Sequence, residues 1–281
     1  MTGLREFRPD DAARLIAVPG EGDDKYSRGV LGVVTGSQQY PGAAVLGVEA
    51  ALRTGVGMVR YLGPERPTSL VLQRRPEAVA AEGRVQAWLL GSGMPWAGRA
   101  GERDPATRER FQHALDSGRP LVLDAGALDL AASTTAPTVV TPHARELSQL
   151  LGVAVDAVRA DPLAAARRAA ERFDVTVLIK GSTTHVVGPA GEALVARSAP
   201  AWLATAGAGD ALAGILGALV ATHADEVVDD ATRLAPLAAA AAVVHGLAAQ
   251  RASAGGPLTV LDLCRELGPT IAQLVKYRPA D

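Results

Sequence analysis

The chain has 281 residues, 48% of them hydrophobic, 21% charged and only 4% aromatic, with a formal net charge of -2. That suffices for one large α/β domain or two small ones with an Ala/Val/Leu core. The balanced charge excludes the strongly basic signature of a nucleic-acid or acidic-membrane binder. The single cysteine, Cys264, excludes an internal disulfide and fits a reducing, cytoplasmic setting.

Residues 1–24 are polar and glycine-bearing and read as an N-terminal arm ahead of one domain over 25–281. The start, MTGLREFRPDD, lacks the apolar centre of a signal peptide. Residues 29–36 (GVLGVVTG) predict a buried strand, and 41–54 a helix with Pro41 in its first turn. GVGMVRYLG follows as a strand. Residues 87–94, 120–128 and 138–143 each give a short apolar run ending in small or polar residues, with helices over 104–117 and 161–173. VTVLIKGS (175–182) is the next strand, and THVVGPAGEALVA predicts a hairpin turning at 188–191. Beyond Asp210 the chain reads as helices over 211–222, 230–250 and 259–277. The apolar stretch 235–249, broken by His245, falls short of the roughly 20 residues needed to cross a bilayer and predicts a buried helix.

Alternating strands and helices predict a mainly parallel sheet covered on both faces. Ligands in such folds bind beyond the carboxyl ends of the strands, so the loops at Gly36, Gly93, Gly126, His143 and Gly181 are expected to share one rim.

The most informative segment is TAGAGDALAG (205–214). Small residues ahead of a helix leave backbone N–H groups open to an anion, and the positive end of the helix dipole favours it. Gly207, Ala208 and Gly209 offer the amides. Asp210, a carboxylate beside an anion site, is the candidate base. The segment is neither a Walker A loop nor a GxGxxG fingerprint, and a plain Ala/Gly-rich helix start is the competing account. Lys180 ends a strand and can reach a phosphate as a point charge, with Gly181, Ser182, Thr183 and Thr184 following. An ordinary strand-to-hairpin turn is the competing account. In TPHARE, Thr141 reads as a cap with Pro142 and Glu146 completing a capping box, which leaves His143 free for a ligand. GSQQYPGAA (36–44) and GSGM (91–94) are strand-end loops whose small residues admit either a flat ligand or tight packing. The five histidines show no metal-ligand spacing. The tryptophans at 88, 96 and 202 are expected in packing.

Taken together, KYSRGVLGVVTGSQQYPGAAVLGVEAALRTGVGMV, LLGSGM, VLDAGAL, TPHARELSQLLG, VLIKGSTTHVV and AGAGDALAGILGALVA resemble, in order, the ribokinase-like superfamily. Within it they are similar to the ADP-dependent (S)-NAD(P)H-hydrate dehydratases, over about residues 25–247. A GxGD segment alone is shared by many small-molecule kinases; the YPGAA block with TPHxxE is far more specific.

The resemblance implies a ribokinase-like α/β fold, ADP as co-substrate, Mg²⁺, a hydrated nicotinamide nucleotide as substrate, and a homotetramer. It places Asp210 as base and substrate contact, and Ala43 or Ala44, Gly93 and His143 against the substrate. Lys180, Gly181, Ser182, Thr183, Thr184, Gly207, Ala208 and Gly209 fall to the nucleotide. No protein metal site is implied, and a separate epimerase is expected to supply the S-epimer, since there is no room for that domain before Lys25. Three positions depart from the family pattern: Ala208 stands for a hydroxyl residue, Gly126 for a second aspartate and Arg145 for a glycine. Two other readings remain: an ATP-dependent kinase of a hydroxymethylpyrimidine or thiazole alcohol, and a nucleotide-sensing module without turnover.

Overall fold

The computed structural model describes residues 3–96 and 103–278. Its strands are β1 (Arg5–Glu6), β2 (Val30–Val34), β3 (Met58–Tyr61), β4 (Ala87–Leu90), β5 (Leu121–Leu123), β6 (Thr138–Val140), β7 (Thr176–Ile179), β8 (Thr184–Val187) and β9 (Ala193–Ala196). They form one sheet in the order β1-β9-β8-β7-β6-β5-β4-β2-β3. From β3 through β7 every neighbouring pair is parallel, whereas β8 pairs antiparallel with both β7 and β9. The expected mainly parallel sheet and its hairpin are therefore present.

Strand periodicity sorts the core into two layers. Leu31, Val33, Leu89, Val122, Val139 and Leu178 face one of them. Trp88, Leu90, Leu121, Leu123, Val140, Val177 and Ile179 face the other. Both faces are covered, so the strands read as continuous apolar runs rather than alternating ones. The first layer is closed by α1 (Pro9–Arg14), α2 (Gly42–Thr54), α8 (Ala208–Thr222), α10 (Leu234–Ser253) and α11 (Val260–Lys276). The second is closed by α4 (Pro105–Asp116), α5 (Ala144–Leu151), α6 (Val155–Ala160) and α7 (Pro162–Phe173). Helices α3 (Glu65–Arg74) and α9 (Ala224–Asp229) complete the set.

Helices α2 and α8 cross very closely because Gly47 and Gly214 face each other. A Cβ on Gly214 would overlap the Gly47 carbonyl oxygen and stand 2.9 Å from its carbon. This contact fixes the start of α8, hence Asp210, against the helix that follows the YPGAA loop.

Two expectations change and a third holds. Residues set apart as an arm contribute β1, which extends the sheet beside β9, and Phe7, Ala12, Ala13 and Ile16, which are buried in the first core layer. The helical stretch Ala231–Ser253 is long and apolar enough to cross a membrane by length and composition, but 72% of its 18-residue apolar window is buried inside the protein. It is a core helix, as expected, and α10 ends at Ser253, three residues beyond the expected Gln250. Trp202 is half exposed, its Nε1 donating to the Gly255 carbonyl at 3.2 Å, while Trp88 is buried as expected.

Candidate active site

The carboxyl ends of β2, β4, β5, β6 and β7 and the start of α8 converge on one rim, as the strand order requires. Gly93 is the point where the loop after β4 meets the loop after β2: a Cβ there would overlap that of Ala43, stand 2.9 Å from the Tyr40 carbonyl oxygen and 3.4 Å from the Gly36 Cα. The Gly36 N–H donates to the Ser92 carbonyl at 2.7 Å. Ala43 is nearly buried in this contact and Ala44 is wholly so. Ala44 therefore presents no surface to a ligand, and Ala43 very little.

An open cleft of about 560 Å³ lies on this rim, its walls carrying Gln38, Tyr40, Met94, His143, Arg145 and Glu146 among others. His143 is more than a free ligand contact. It is the N-cap of α5: its Nδ1 accepts from the Glu146 N–H at 3.1 Å, and the Glu146 carboxylate accepts from the His143 N–H at 2.7 Å. Thr141, expected to cap, instead turns its hydroxyl to Asp124. Arg145 stands on the cleft wall. Gly126 has a local cause, since a Cβ there would meet the Met94 and Pro95 carbonyls, so an aspartate has no room at that position.

Behind the cleft lies a charged cluster. Asp124, at the end of β5, is 2% exposed. It accepts from Lys180 Nζ at 2.8 Å, Thr141 Oγ1 at 2.7 Å and Ser92 Oγ at 2.8 Å. Burial alone would raise its pKa, but the lysine and the two hydroxyls hold it below the ordinary carboxylate value. The next residue, Ala125, adopts a left-handed conformation with φ of +43°, which costs about 1–2 kcal/mol in a non-glycine residue and is held by the packing around it. Lys180 lies 3.9 Å from Glu146 and is positioned by its N–H, which donates to the Pro142 carbonyl at 2.9 Å. Burial favours its neutral form, yet Asp124 and Glu146 more than compensate and raise its pKa.

The amide segment and the lysine loop come together here. Gly207 caps α8 with φ of +89° and Leu46 packed where a side chain would go, so the turn requires glycine. A Cβ on Gly209 would stand 3.4 Å from Lys180 Nζ. The Ala208 N–H donates to the Thr205 carbonyl at 3.4 Å, which leaves the amides of Gly209 and Asp210, with that of the cap Gly207, open at this helix start. Asp210 has its pKa raised to about 7, chiefly by burial and further by Asp124, with Lys180 opposing. A carboxyl poised at neutrality beside a lysine and open amides is equipped to take a proton from a hydroxyl while an anion sits on the amides. Of the remaining loop, Gly181 and Ser182 are exposed, Thr183 and Thr184 are half-buried, and Thr183 Oγ1 accepts from Arg197 at 3.2 Å.

Sequence reasoning passed over Asp124 and Ser92, and saw Thr141 and Glu146 only as helix-start residues. The available signal was an aspartate directly after a buried strand, in VLDAGAL, on the very rim the fold predicts. What the sequence could not give was its partner, 56 residues away.

The model for the NAD(P)H-hydrate dehydratase family matches residues 31–266. The bifunctional NAD(P)H-hydrate repair enzyme Nnr of Mycobacterium tuberculosis is 40% identical over 233 residues, covering 79% of this chain and 47% of that protein. The chain thus spans about half the length of this relative. The ADP-dependent (S)-NAD(P)H-hydrate dehydratase of Xanthomonas campestris is 34% identical over 250 residues, covering 80% of this chain and 84% of that protein. In fold, the chain superposes on a Bacillus subtilis ADP/ATP-dependent NAD(P)H-hydrate dehydratase, co-crystallised with ATP/Mg²⁺, with a TM-score of 0.83 at 22% identity, covering 98% of this chain and 100% of that one. The fold is thus ribokinase-like, and with most of its length matched by the family model the chain belongs to the NAD(P)H-hydrate dehydratase family.

Proposed function

We propose that this protein catalyses the ADP-dependent dehydration of the S-epimer of hydrated NADH or NADPH, releasing NAD(P)H, AMP and phosphate. Family membership and the named relatives support the reaction. The observation that carries the site assignment is the Asp210 carboxyl, held near neutral pKa beside Lys180 and the open amides of α8.

Hydroxide is a poor leaving group, and phosphorylation converts it into a good one. Asp210 accepts the proton of the C6 hydroxyl as its oxygen attacks the terminal phosphorus of ADP and the bond to AMP breaks. The Gly209 and Asp210 amides, with Lys180, stabilise the charge on the phosphoryl group in flight. The ring nitrogen lone pair then expels phosphate from C6, and loss of a proton from C5 restores the ring double bond. Lys180, Gly181, Ser182, Thr183 and Thr184, with Gly207, Ala208 and Gly209, form the nucleotide side of the site. Gly93, His143 and the Ala43 loop form the substrate side.

Among the described residues no group of three His, Cys, Asp or Glu side chains is arranged to hold a metal, and Asp124 has its acceptors occupied by Lys180, Thr141 and Ser92. The residues do not fit a resident metal. In this reading Mg²⁺ enters with the nucleotide phosphates, which with water supply its ligands, and no step is assigned to it. We place the protein in the cytoplasm as a homotetramer that receives the S-epimer from an NAD(P)H-hydrate epimerase.

The test is recovery of reduced-nicotinamide absorbance from hydrated NADH with Mg²⁺ and either ADP or ATP. Recovery with ADP is expected. No recovery with either nucleotide, together with a stable phosphorylated vitamin-precursor alcohol, would assign the site to a kinase instead. Nucleotide binding that is indifferent to Asp210→Asn, with no AMP formed, would point to a sensing module.

A further inference from the structure

Asp124 lies below the cleft, is fully committed to Lys180, Thr141 and Ser92, and takes no direct part in the chemistry above. We propose that Asp124 is a positioning residue that claims the charge of Lys180 and so leaves Asp210 free to work as a base. This deepens the dehydratase reading and rests on it for the role of Asp210.

The argument is one of competition for a single cation. Lys180 faces three carboxylates: Asp124 from the end of β5, Glu146 from α5 and Asp210 from α8. From α10 His245 also feels it, but burial keeps that ring neutral, with a pKa lowered to about 4. His143, the cap of α5, completes the titratable groups on that side. Among the described residues only Asp124 has close contact with the ammonium, at 2.8 Å, against 3.9 Å for Glu146. Two hydroxyls aim at Asp124 and, among the described residues, none is bonded to Asp210, so Asp124 is the built anion of the cluster. Were Lys180 to pair with Asp210 instead, that carboxylate would be stabilised as the anion and would lose its affinity for a proton. A second negative charge in the cluster opposes ionisation of Asp210 in the same direction.

The arrangement also divides labour around Lys180. Held from below by Asp124, its ammonium is fixed next to Gly209, where the transferred phosphoryl is placed in the reaction above. The lysine is pinned by a carboxylate that never changes protonation, so it serves the phosphate through turnover while Asp210 gains and loses its proton.

The test reads Asp210 directly and does not need turnover. The carboxyl signal that disappears in Asp210→Asn, followed by isotope-edited NMR, gives its titration in the intact apo protein. In Asp124→Asn, which keeps the shape and loses the charge, the Asp210 midpoint is expected to fall by about 1 pH unit or more. In Lys180→Met it is expected to rise. If Asp210 owes its pKa to burial alone, neither variant moves it, and that result overturns the proposal. Should Asp124→Asn fail to fold, Lys180→Met alone decides, since an unmoved or lowered midpoint there has the same consequence. The acid limb of kcat/KM, measured where the wild type turns over, should move with the titration. An inactive wild type whose Asp210 nevertheless responds to both variants refutes the dehydratase reading and leaves the charge competition standing.

Discussion

Asp210→Asn is expected to make the protein slower and more stable, and the stability gain should depend on pH in a defined way. In the folded chain Asp210 holds its proton to about pH 7, against an ordinary value of 3.8. Between those values the folded state binds a proton that the unfolded chain has lost, so stability falls as pH rises from about 4 to about 7 and is level beyond. That interval corresponds to roughly 4 kcal/mol at about 1.4 kcal/mol per pH unit, an upper bound because the carboxyl retains some solvent contact. Asparagine has no charge to bury, so the variant escapes this penalty. Urea unfolding of wild type and variant at pH 4 and pH 8 checks it: the difference between the two proteins should grow by about 2–4 kcal/mol in favour of the variant at the higher pH. Over the same change turnover should drop by roughly 10²–10⁴-fold, the worth of a general base. A stability gap equal at both pH values would refute the reasoning, because a fixed offset reports a lost contact and not a buried charge.

Gly214→Ala tests the close crossing of α2 and α8. Helix propensity alone would stabilise by about 1 kcal/mol, but the added methyl overlaps the Gly47 carbonyl, so a net loss of about 1–3 kcal/mol is expected on unfolding. Glu49 is wholly buried between Arg53, Arg74 and Arg75. Burial would raise its pKa, yet the guanidinium groups bring it down to about 2; its contribution to stability is present above about pH 4.5 and is lost as pH falls toward 2. Glu49→Ala should destabilise by about 3–5 kcal/mol at pH 7, with the gap closing in acid. His143→Ala removes the side-chain half of the α5 capping box, the Nδ1 that accepts from the Glu146 N–H, and leaves the backbone half; it should lose about 1 kcal/mol, and a simultaneous rise in KM for the hydrated nucleotide, measured by initial rates, would mark its second role on the cleft wall.

Much of this protein is legible in one dimension. Apolar runs at 29–36, 87–94 and 175–182 predict strands because a sheet covered on both faces needs no alternation. TAGAGDALAG announces a helix start with a carboxylate because small residues and an apolar stripe are local properties. The family resemblance follows from such blocks in order. The capping role of His143 was misassigned to Thr141, since TPHARE offers two capping registers and only the backbone direction after β6 chooses between them.

What the sequence by itself determined was the class of fold; it also pointed to the rim where ligands are expected and to the carboxylate to suspect. What only the tertiary structure decided was how that carboxylate is tuned. Asp124 and Lys180 lie 56 residues apart and meet because β5, β6 and β7 are neighbours in the sheet. Burial, the competing anion and the shared cation act through space and fall off over a few ångströms, so no spacing along the chain encodes them.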